Sequence, residues 1–158
     1  MTGNQRHKHY KNSHIDLAVK ELDGYRLRKQ QIMRLKERKL QLEDELYSVK
    51  AVDYSKDKVQ GGKFKDGLAD ATLEWATLDD KIHKLIVENE QEMLVIEEKI
   101  KRLRFDEQQV LVYYYINGKN MTAISIKMER SVDGLKKLKK RALAHYAESF
   151  ENPQEFFE

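Results

Sequence analysis

The strongest chemical signal in this sequence is the basic run from Asn120 to Leu143, NMTAISIKMERSVDGLKKLKKRAL. It carries seven Lys/Arg against two Asp/Glu. Ammonium and guanidinium groups at this density can neutralise phosphates and donate hydrogen bonds to base edges in the major groove of DNA. A solvated lysine face on an ordinary amphipathic helix has the same composition. The elements that position the run decide between these two interpretations.

Three short helices are predicted around the basic run. The first, over residues 107–116, is expected to end near Gly118, because glycine suits the left-handed position after a helix. The second is expected over residues 122–128. Ser131 is expected to cap a third helix that covers residues 132–149, because a serine oxygen can accept a hydrogen bond from the first turn.

The third helix is predicted to be amphipathic. If Leu135, Leu138, Ala142 and Tyr146 face inward, its lysines must face outward. A tight turn between the last two helices matches a helix-turn-helix, in which the second helix enters the major groove. The residues predicted to bind DNA are Lys127, Arg130, Ser131, Val132, Asp133, Lys136, Lys137, Lys140 and Arg141.

Individual roles follow from side-chain chemistry. Lys136 or Lys137 is predicted to donate to guanine N7 and O6. Ser131 is predicted to cap its helix and also to bond a phosphate. Gly134 leaves room for close approach to DNA, or only costs helix propensity of about 1 kcal/mol. The residues expected to neutralise phosphates are Lys127, Arg130, Lys139, Lys140 and Arg141.

Two long segments upstream have the apolar periodicity of helices. The first, residues 15–49, lacks proline, and Arg28 and Lys39 interrupt its heptad frame. In the second, residues 68–103, apolar steps of three and four alternate, with one extra step of four around Asn89 that indicates a stutter. Two such helices can bury their stripes on each other as an antiparallel hairpin.

A two-helix hairpin has a thin core, so a second copy of the chain is expected to complete it. Asn89 in the seam is either a polar residue that sets the register between helices or an asparagine at a bent point of the seam. The sequence leaves both alternatives open. The residues predicted to mediate oligomerisation are Leu68, Trp75, Leu78, Ile82, Leu85 and Asn89.

The composition predicts an all-α fold. Charged residues make up 36% of the 158 residues, and the chain has one proline and seven glycines, which is typical of long helices. The expected architecture is a long antiparallel helical hairpin followed by a three-helix helix-turn-helix module. The predicted segments are a disordered basic N-terminus (1–13), the hairpin (14–104) with a loop at 51–66, the helix-turn-helix module (105–149) and an acidic tail (150–158).

Charge is distributed unevenly along the chain, although the net charge is only +3. Residues 1–39 carry eleven Lys/Arg against four Asp/Glu, whereas residues 40–110 carry eleven against seventeen. The last eleven residues carry four acids and no Lys/Arg. The basic segments are suited to an anionic polymer such as double-stranded DNA.

Several classes of function are not expected. The chain has no cysteine, which excludes disulfides, thiolate zinc sites and cysteine nucleophiles. No apolar run approaches the roughly 18 residues that span a membrane, and the N-terminus lacks a hydrophobic signal region, so a cytoplasmic protein is expected. His83 and His145 have no catalytic partner nearby in the sequence, and we find no set of residues with the spacing of a catalytic site. We therefore expect neither an enzyme nor a metal or cofactor site.

The C-terminal motif resembles a known family. The stretch YYINGKNMTAISIKMERSVDGLKKLKKRAL resembles region 4 of bacterial sigma factors: a helix ends in glycine, and serine starts the recognition helix. It is more similar to the ArpU/RinA-type transcriptional regulators of phages of Gram-positive bacteria. Their linker and second helix resemble DYSKDKVQGGKFKD and LADATLEWATLDDKI, so the resemblance covers most of residues 45–145.

The resemblance implies that the protein binds promoter DNA, activates phage late or packaging genes in the cytoplasm of a bacterial host, and contacts host RNA polymerase. Two departures limit what it transfers. Gly134 stands where sigma region 4 usually has threonine, and the family's next apolar residue lies one position after Leu138. Specific base contacts therefore do not transfer.

Two other classes of protein share parts of this pattern. A small terminase-like packaging subunit also combines a helix-turn-helix with oligomerising helices, but its DNA-binding module more commonly comes first. Here the module follows, which favours the transcription interpretation. A structural coiled-coil protein, whose C-terminal unit only caps the hairpin, would show no salt-dependent DNA binding.

Overall fold

The computed structural model describes residues 3–55 and 63–151, with side-chain environments for residues 13–51, 69–70 and 72–151. All regular structure within these ranges is helical, which confirms the expected all-α class. No helix in the same ranges has a stretch long and apolar enough to cross a membrane. The elements are α1 (Gly3–Ser55), α2 (Lys63–Lys101), α3 (Phe105–Leu111), a π-helical segment (Val112–Ile116), α4 (Met121–Met128), α5 (Val132–Ala147) and a 3₁₀ turn (Glu148–Phe150).

The two long helices extend further than the sequence predicted. α1 begins at Gly3, so the expected disorder of residues 1–13 is wrong from Gly3 onward. No proline or glycine lies between Gly3 and Ile15, and each residue added to an existing helix gains a hydrogen bond. Helix propagation from the predicted segment therefore continues toward the N-terminus.

The predicted bounds of the loop, residues 51–66, are wrong at both ends. α1 runs to Ser55, and α2 starts at Lys63. Residues 56–62 lie outside the described part of the chain. The only glycines inside this central stretch are Gly61 and Gly62, and the segments that turn out helical contain neither proline nor glycine before Gly67. Without a helix breaker, each helix continues into the segment assigned to the loop.

The chain divides into two compact units. One combines the residues up to Arg28 with those from Glu92 onward, and the other is Lys29–Gln91. This division differs from the predicted boundary between residues 104 and 105. The first unit therefore contains the three short helices together with the N-terminal half of α1 and the end of α2.

A single hydrophobic cluster forms the core of the first unit. Each Leu or Ile that it buries stabilises the fold by roughly 1.5–3 kcal/mol. The predicted inward residues of α5, Leu135, Leu138, Ala142 and Tyr146, are all buried in it. The other buried members are Ala18, Leu22, Tyr25, Ile96, Ile100, Val110, Leu111, Tyr115, Ile124, Leu143 and Ala147.

A polar network links α1, α2 and α5 at the edge of this core. The Glu21 carboxylate accepts hydrogen bonds from Lys99 Nζ at 2.8 Å and from the Tyr146 hydroxyl at 2.8 Å. Burial, followed by the nearby Glu21 charge, raises the pKa of Tyr146. The Lys99 ammonium also lies 4.2 Å from the ring centroid of Phe150. Phe150, predicted to begin the acidic tail, thus packs against the core; residues 152–158 lie outside the described part.

In the second unit, α1 and α2 run antiparallel. Lys36 Nζ lies 3.1 Å from Glu90 Oε1, and Lys39 Nζ lies 3.5 Å from Asp79 Oδ1. Lys39, which interrupts the predicted heptad frame, is half-buried. Its aliphatic stem can cover apolar surface while its ammonium pairs with Asp79, which explains why a lysine is tolerated in the seam.

The seam of α2 has a different register from the predicted one. Leu78 and Leu85 are 37% and 41% exposed, and Ile86 is buried instead. The predicted stutter around Asn89 is therefore wrong. Because Leu85 and Ile86 are adjacent and both apolar, the sequence alone could not separate the two registers. Steps of four and three alternate without interruption through the buried and half-buried positions Trp75, Asp79, Ile82, Ile86, Asn89, Met93, Ile96 and Ile100.

Candidate nucleic-acid interface

Helices α4 and α5 form the predicted helix-turn-helix. Asn120 caps α4, and its side-chain oxygen accepts a hydrogen bond from the Ala123 N–H at 2.8 Å. Ser131 caps α5 in the same way, with its Oγ 3.1 Å from the Gly134 nitrogen. Both helix starts are therefore fixed by local side-chain chemistry, and the predicted Ser131 cap is confirmed.

The turn between the two helices is tightly hydrogen-bonded. Glu129 adopts the left-handed conformation, with φ of 52°. The Arg130 N–H donates to the Ser125 carbonyl at 3.1 Å, and the Ser125 hydroxyl donates to the Arg130 carbonyl at 2.5 Å. A left-handed conformation costs a residue with a side chain about 1–2 kcal/mol. Glu129 keeps this conformation because the two hydrogen bonds between Ser125 and Arg130 hold the chain in the turn.

The outer face of α5 presents unpaired cations. Lys136, Lys137 and Lys140 are exposed, and none forms an ion pair with the residues that the structure describes. Asp133 is also exposed, whereas Val132 is half-buried. Three free ammonium groups on one helix face can reach base edges or phosphates of a duplex.

Gly134 lies close to the cap of α5. A Cβ atom built at this position would be 3.1 Å from Ser131 Oγ, the atom that caps the helix. A larger side chain would press on the cap. Ser131 Oγ would have to shift by only a few tenths of an ångström to admit one, so local crowding by itself does not require the glycine.

Two of the predicted phosphate ligands are held by carboxylates of α3. Arg141 Nε lies 2.9 Å from Glu107 Oε1, and Arg141 Nη2 lies 3.3 Å from Asp106 Oδ2. Arg130 Nη2 lies 3.4 Å from the same Asp106 oxygen. Arg141 thus joins α5 to α3 within the chain. Both arginines are less available for DNA than the lysines.

Glu107 is a fully buried carboxylate at the centre of this network. His145 Nδ1 lies 2.9 Å from both of its oxygens. Burial alone would raise the pKa of Glu107, but the hydrogen bonds with His145 and Arg141 outweigh it and hold the pKa below its usual value. A charged carboxylate in a core needs such partners, so Glu107 fixes the placement of α5 on α3.

Sequence reasoning did not identify this network. Glu107 lies 34 residues from Arg141 and 38 from His145. No local pattern connects residues so far apart. The only signal was the four-residue spacing of Arg141 and His145, which places them on one side of α5 next to the inward stripe.

The π-helical segment contains three consecutive tyrosines, Tyr113, Tyr114 and Tyr115. Tyr115 is buried, and its burial followed by the nearby Asp23 charge raises its pKa to about 12. Tyr113 and Tyr114 are half-buried. Lys127 Nζ lies 4.8 Å from the Tyr113 ring centroid, and Lys139 Nζ lies 4.0 Å from that of Tyr114. The Tyr113 and Tyr114 rings therefore make cation–π contacts with Lys127 and Lys139 at the edge of the core.

The residues predicted to mediate oligomerisation do not share one exposed face. Ile82 is buried within its own chain, and Trp75 and Asn89 are half-buried. Asn89 donates to the Leu85 carbonyl at 2.7 Å, a bond within α2. Leu78 and Leu85 are exposed, and the side chain of Leu68 lies outside the described residues.

The structure thus assembles two helices and a turn in which exposed lysines lack ion-pair partners among the described residues, whereas the arginines contact buried or half-buried carboxylates. The geometry contributes a capped helix α5 and a defined turn before it. Comparisons of the chain with protein-family models, curated proteins and solved structures give no match.

Proposed function

We propose that the protein is a sequence-specific regulator of transcription that binds double-stranded DNA through α4 and α5. The observation that carries the proposal is the set of exposed lysines on α5, Lys136, Lys137 and Lys140, which have no ion-pair partner among the described residues. An α-helix with its N-terminal half rich in free donors can be placed in a major groove.

The contrast between lysines and arginines supports this proposal. The three lysines form no ion pair with described residues, whereas the neighbouring Arg141 pairs with Glu107 and Asp106. A face whose only role is contact with water would not require this difference. In the proposed complex, Lys136 and Lys137 donate to guanine N7 and O6. Lys127 and Lys140 neutralise phosphates, which give affinity without sequence information.

The remaining parts of the proposal follow from the resemblance to ArpU/RinA-type regulators. The protein activates phage late or packaging genes in the cytoplasm of a bacterial host, contacts host RNA polymerase and has no catalytic activity of its own. It acts as a homo-oligomer, because two copies would present two recognition helices to two half-sites of an operator.

A mobility-shift titration tests the DNA-binding part directly. The purified chain is titrated against DNA from upstream of phage late genes, with scrambled competitor, at two salt concentrations. Competitor-resistant binding that weakens with salt supports the proposal. Weak binding that is equal on both DNAs contradicts it.

A charge-reversal variant assigns the binding to α5. Lys136→Glu with Lys137→Glu is expected to abolish specific binding without loss of helicity. The matched control is Lys50→Glu with Lys81→Glu, which changes the net charge equally at two exposed lysines outside the helix-turn-helix. Unchanged affinity of the first variant would exclude α5 as the recognition helix.

Footprinting separates the proposal from its alternatives. Protection of a promoter supports a regulator of transcription. Protection of a packaging site would indicate a terminase-like subunit. An absence of salt-dependent binding would indicate a structural coiled-coil protein.

A further inference from the structure

The long helix α1 contacts the loop that leads into the helix-turn-helix. Gly118, in that loop, has φ of +63°. A Cβ atom built on Gly118 would lie 2.6 Å from the guanidinium carbon of Arg26 on α1. The Arg26 guanidinium therefore lies against the bare backbone of this glycine, and only glycine allows so close an approach.

Two lysines lie near the same loop, around Tyr113. The ring centroid of Tyr113 is 5.8 Å from Lys119 Nζ and 4.8 Å from Lys127 Nζ. Arg26 and Lys127 are exposed, and Lys119 is half-buried. None of the three cations forms an ion pair within the described ranges. We call Arg26, Lys119 and Lys127 the loop cluster.

A role in the fold alone does not explain the loop cluster. Arg26 could serve to neutralise the carbonyls at the end of the π-helical segment, but its guanidinium donates no hydrogen bond to the residues that the structure describes. The Val112 and Tyr113 carbonyls, at the start of that segment, accept from the Asn117 and Lys119 N–H groups at 2.8 Å. The aromatic ring offsets part of the charge of the lysines. The remaining positive charge has no ion-pair partner among the side chains that the structure describes.

We propose that the loop cluster binds phosphates of the DNA backbone, so that α1 contributes to the DNA interface together with the helix-turn-helix. The proposal rests on the DNA-binding function proposed above. Lys127 provides a phosphate contact on α4. Lys119 adds a second contact just before the start of α4, and Arg26 adds a third on α1. Phosphate contacts fix the orientation of a protein on the duplex, so α1 sets how the recognition helix enters the groove.

The salt dependence of binding measures these contacts. Each phosphate contact contributes about 0.9 to the slope of log K against log salt concentration. Arg26→Gln with Lys119→Gln removes two contacts and is expected to reduce the slope by about 1.8. Between 50 and 200 mM salt, the wild type should then lose about tenfold more affinity than the variant.

Sequence preference separates the loop cluster from the recognition helix. The ratio of affinities for operator and scrambled DNA should stay unchanged in the Arg26→Gln, Lys119→Gln variant, because phosphates carry no sequence information. The control is Arg34→Gln with Lys50→Gln, two exposed residues of α1 outside the first unit, and its slope should equal that of the wild type. All titrations use the full chain, and all salt slopes are measured on one operator duplex.

The outcomes distinguish this inference from the proposed function. A wild type without salt-dependent DNA binding overturns both. A wild type that binds specifically, with a variant of unchanged slope, overturns the loop cluster and leaves the proposed function intact. If Arg26→Gln impairs folding, as circular dichroism would show, the single variant Lys119→Gln replaces it with an expected slope change of about 0.9. Arg26→Lys keeps the charge and should keep the slope.

Discussion

The substitution Glu107→Gln tests whether a buried carboxylate holds α5 in place. Glutamine has almost the same shape as glutamate, so the change removes a charge without opening a cavity. Glu107 is fully buried and is hydrogen-bonded to Arg141 and His145 at 2.9 Å. The substitution therefore isolates the charge of the carboxylate from its packing.

The magnitude follows from the two hydrogen bonds. A hydrogen bond to a charged group contributes roughly 1.5–3 kcal/mol, whereas a neutral one contributes roughly 0.5–1.5 kcal/mol. Two bonds that each lose about 1 kcal/mol lower the free energy of unfolding by about 2 kcal/mol. Arg141 and His145 are partly exposed, and solvent screening makes this an upper value. The corresponding fall in melting temperature is about 4–8 °C.

The pH dependence gives a second and sharper signature. A carboxyl whose pKa is lowered by folding stabilises the protein above its unfolded pKa of about 4.3. That stability is lost as the pH falls through the folded pKa, because the protonated group no longer carries the charge. The difference in free energy of unfolding between wild type and Glu107→Gln should therefore have its full value at neutral pH and shrink below about pH 4.

Thermal unfolding of both proteins, followed by far-ultraviolet and tyrosine circular dichroism across this pH range, provides the assay. Glu43→Gln is the matched control, because Glu43 is exposed and forms no ion pair with described residues. A Glu107→Gln variant as stable as the wild type at neutral pH would refute the reasoning. So would a deficit that persists unchanged in acid.

Three further predictions concern the helix-turn-helix and the hairpin. Arg141→Ala should lower the melting temperature and leave the salt slope of DNA binding unchanged, whereas Lys140→Ala should reduce the slope by about 0.9 at an unchanged melting temperature. Gly118→Ala should lower the free energy of unfolding in urea by about 1–2 kcal/mol, because its φ of +63° disfavours a side chain; equal midpoints would contradict this. Sedimentation at micromolar concentration should show self-association through residues 15–104, and a monomer would exclude it.

The sequence predicted the local features of α4 and α5 well. Ser131 caps α5 as expected, and Leu135, Leu138, Ala142 and Tyr146 are buried as their spacing predicted. Helix caps and apolar stripes depend on residues within one or two turns, so both can be recognised without knowledge of the fold.

Features that depend on distant residues could not be predicted. Arg141 looked like a phosphate ligand because its carboxylate partners on α3 are more than thirty residues away. The register of α2 depended on whether Leu85 or Ile86 faces α1, and adjacent apolar residues fit either choice. Sequence periodicity gives the stripe of a helix, but the partner helix decides its exact direction.

The first unit is assembled from the two ends of the chain, and this affects how the protein is made. Ala18 and Leu22 share a core with α5, and Glu21 accepts its hydrogen bond from Tyr146, 125 residues later. On the ribosome, the N-terminal part of this core lacks its partner until the residues up to Tyr146 have been synthesised. During that interval its apolar side chains lack their partners, a state prone to aggregation. Nascent chains should therefore be most prone to aggregation before Tyr146 has left the ribosome.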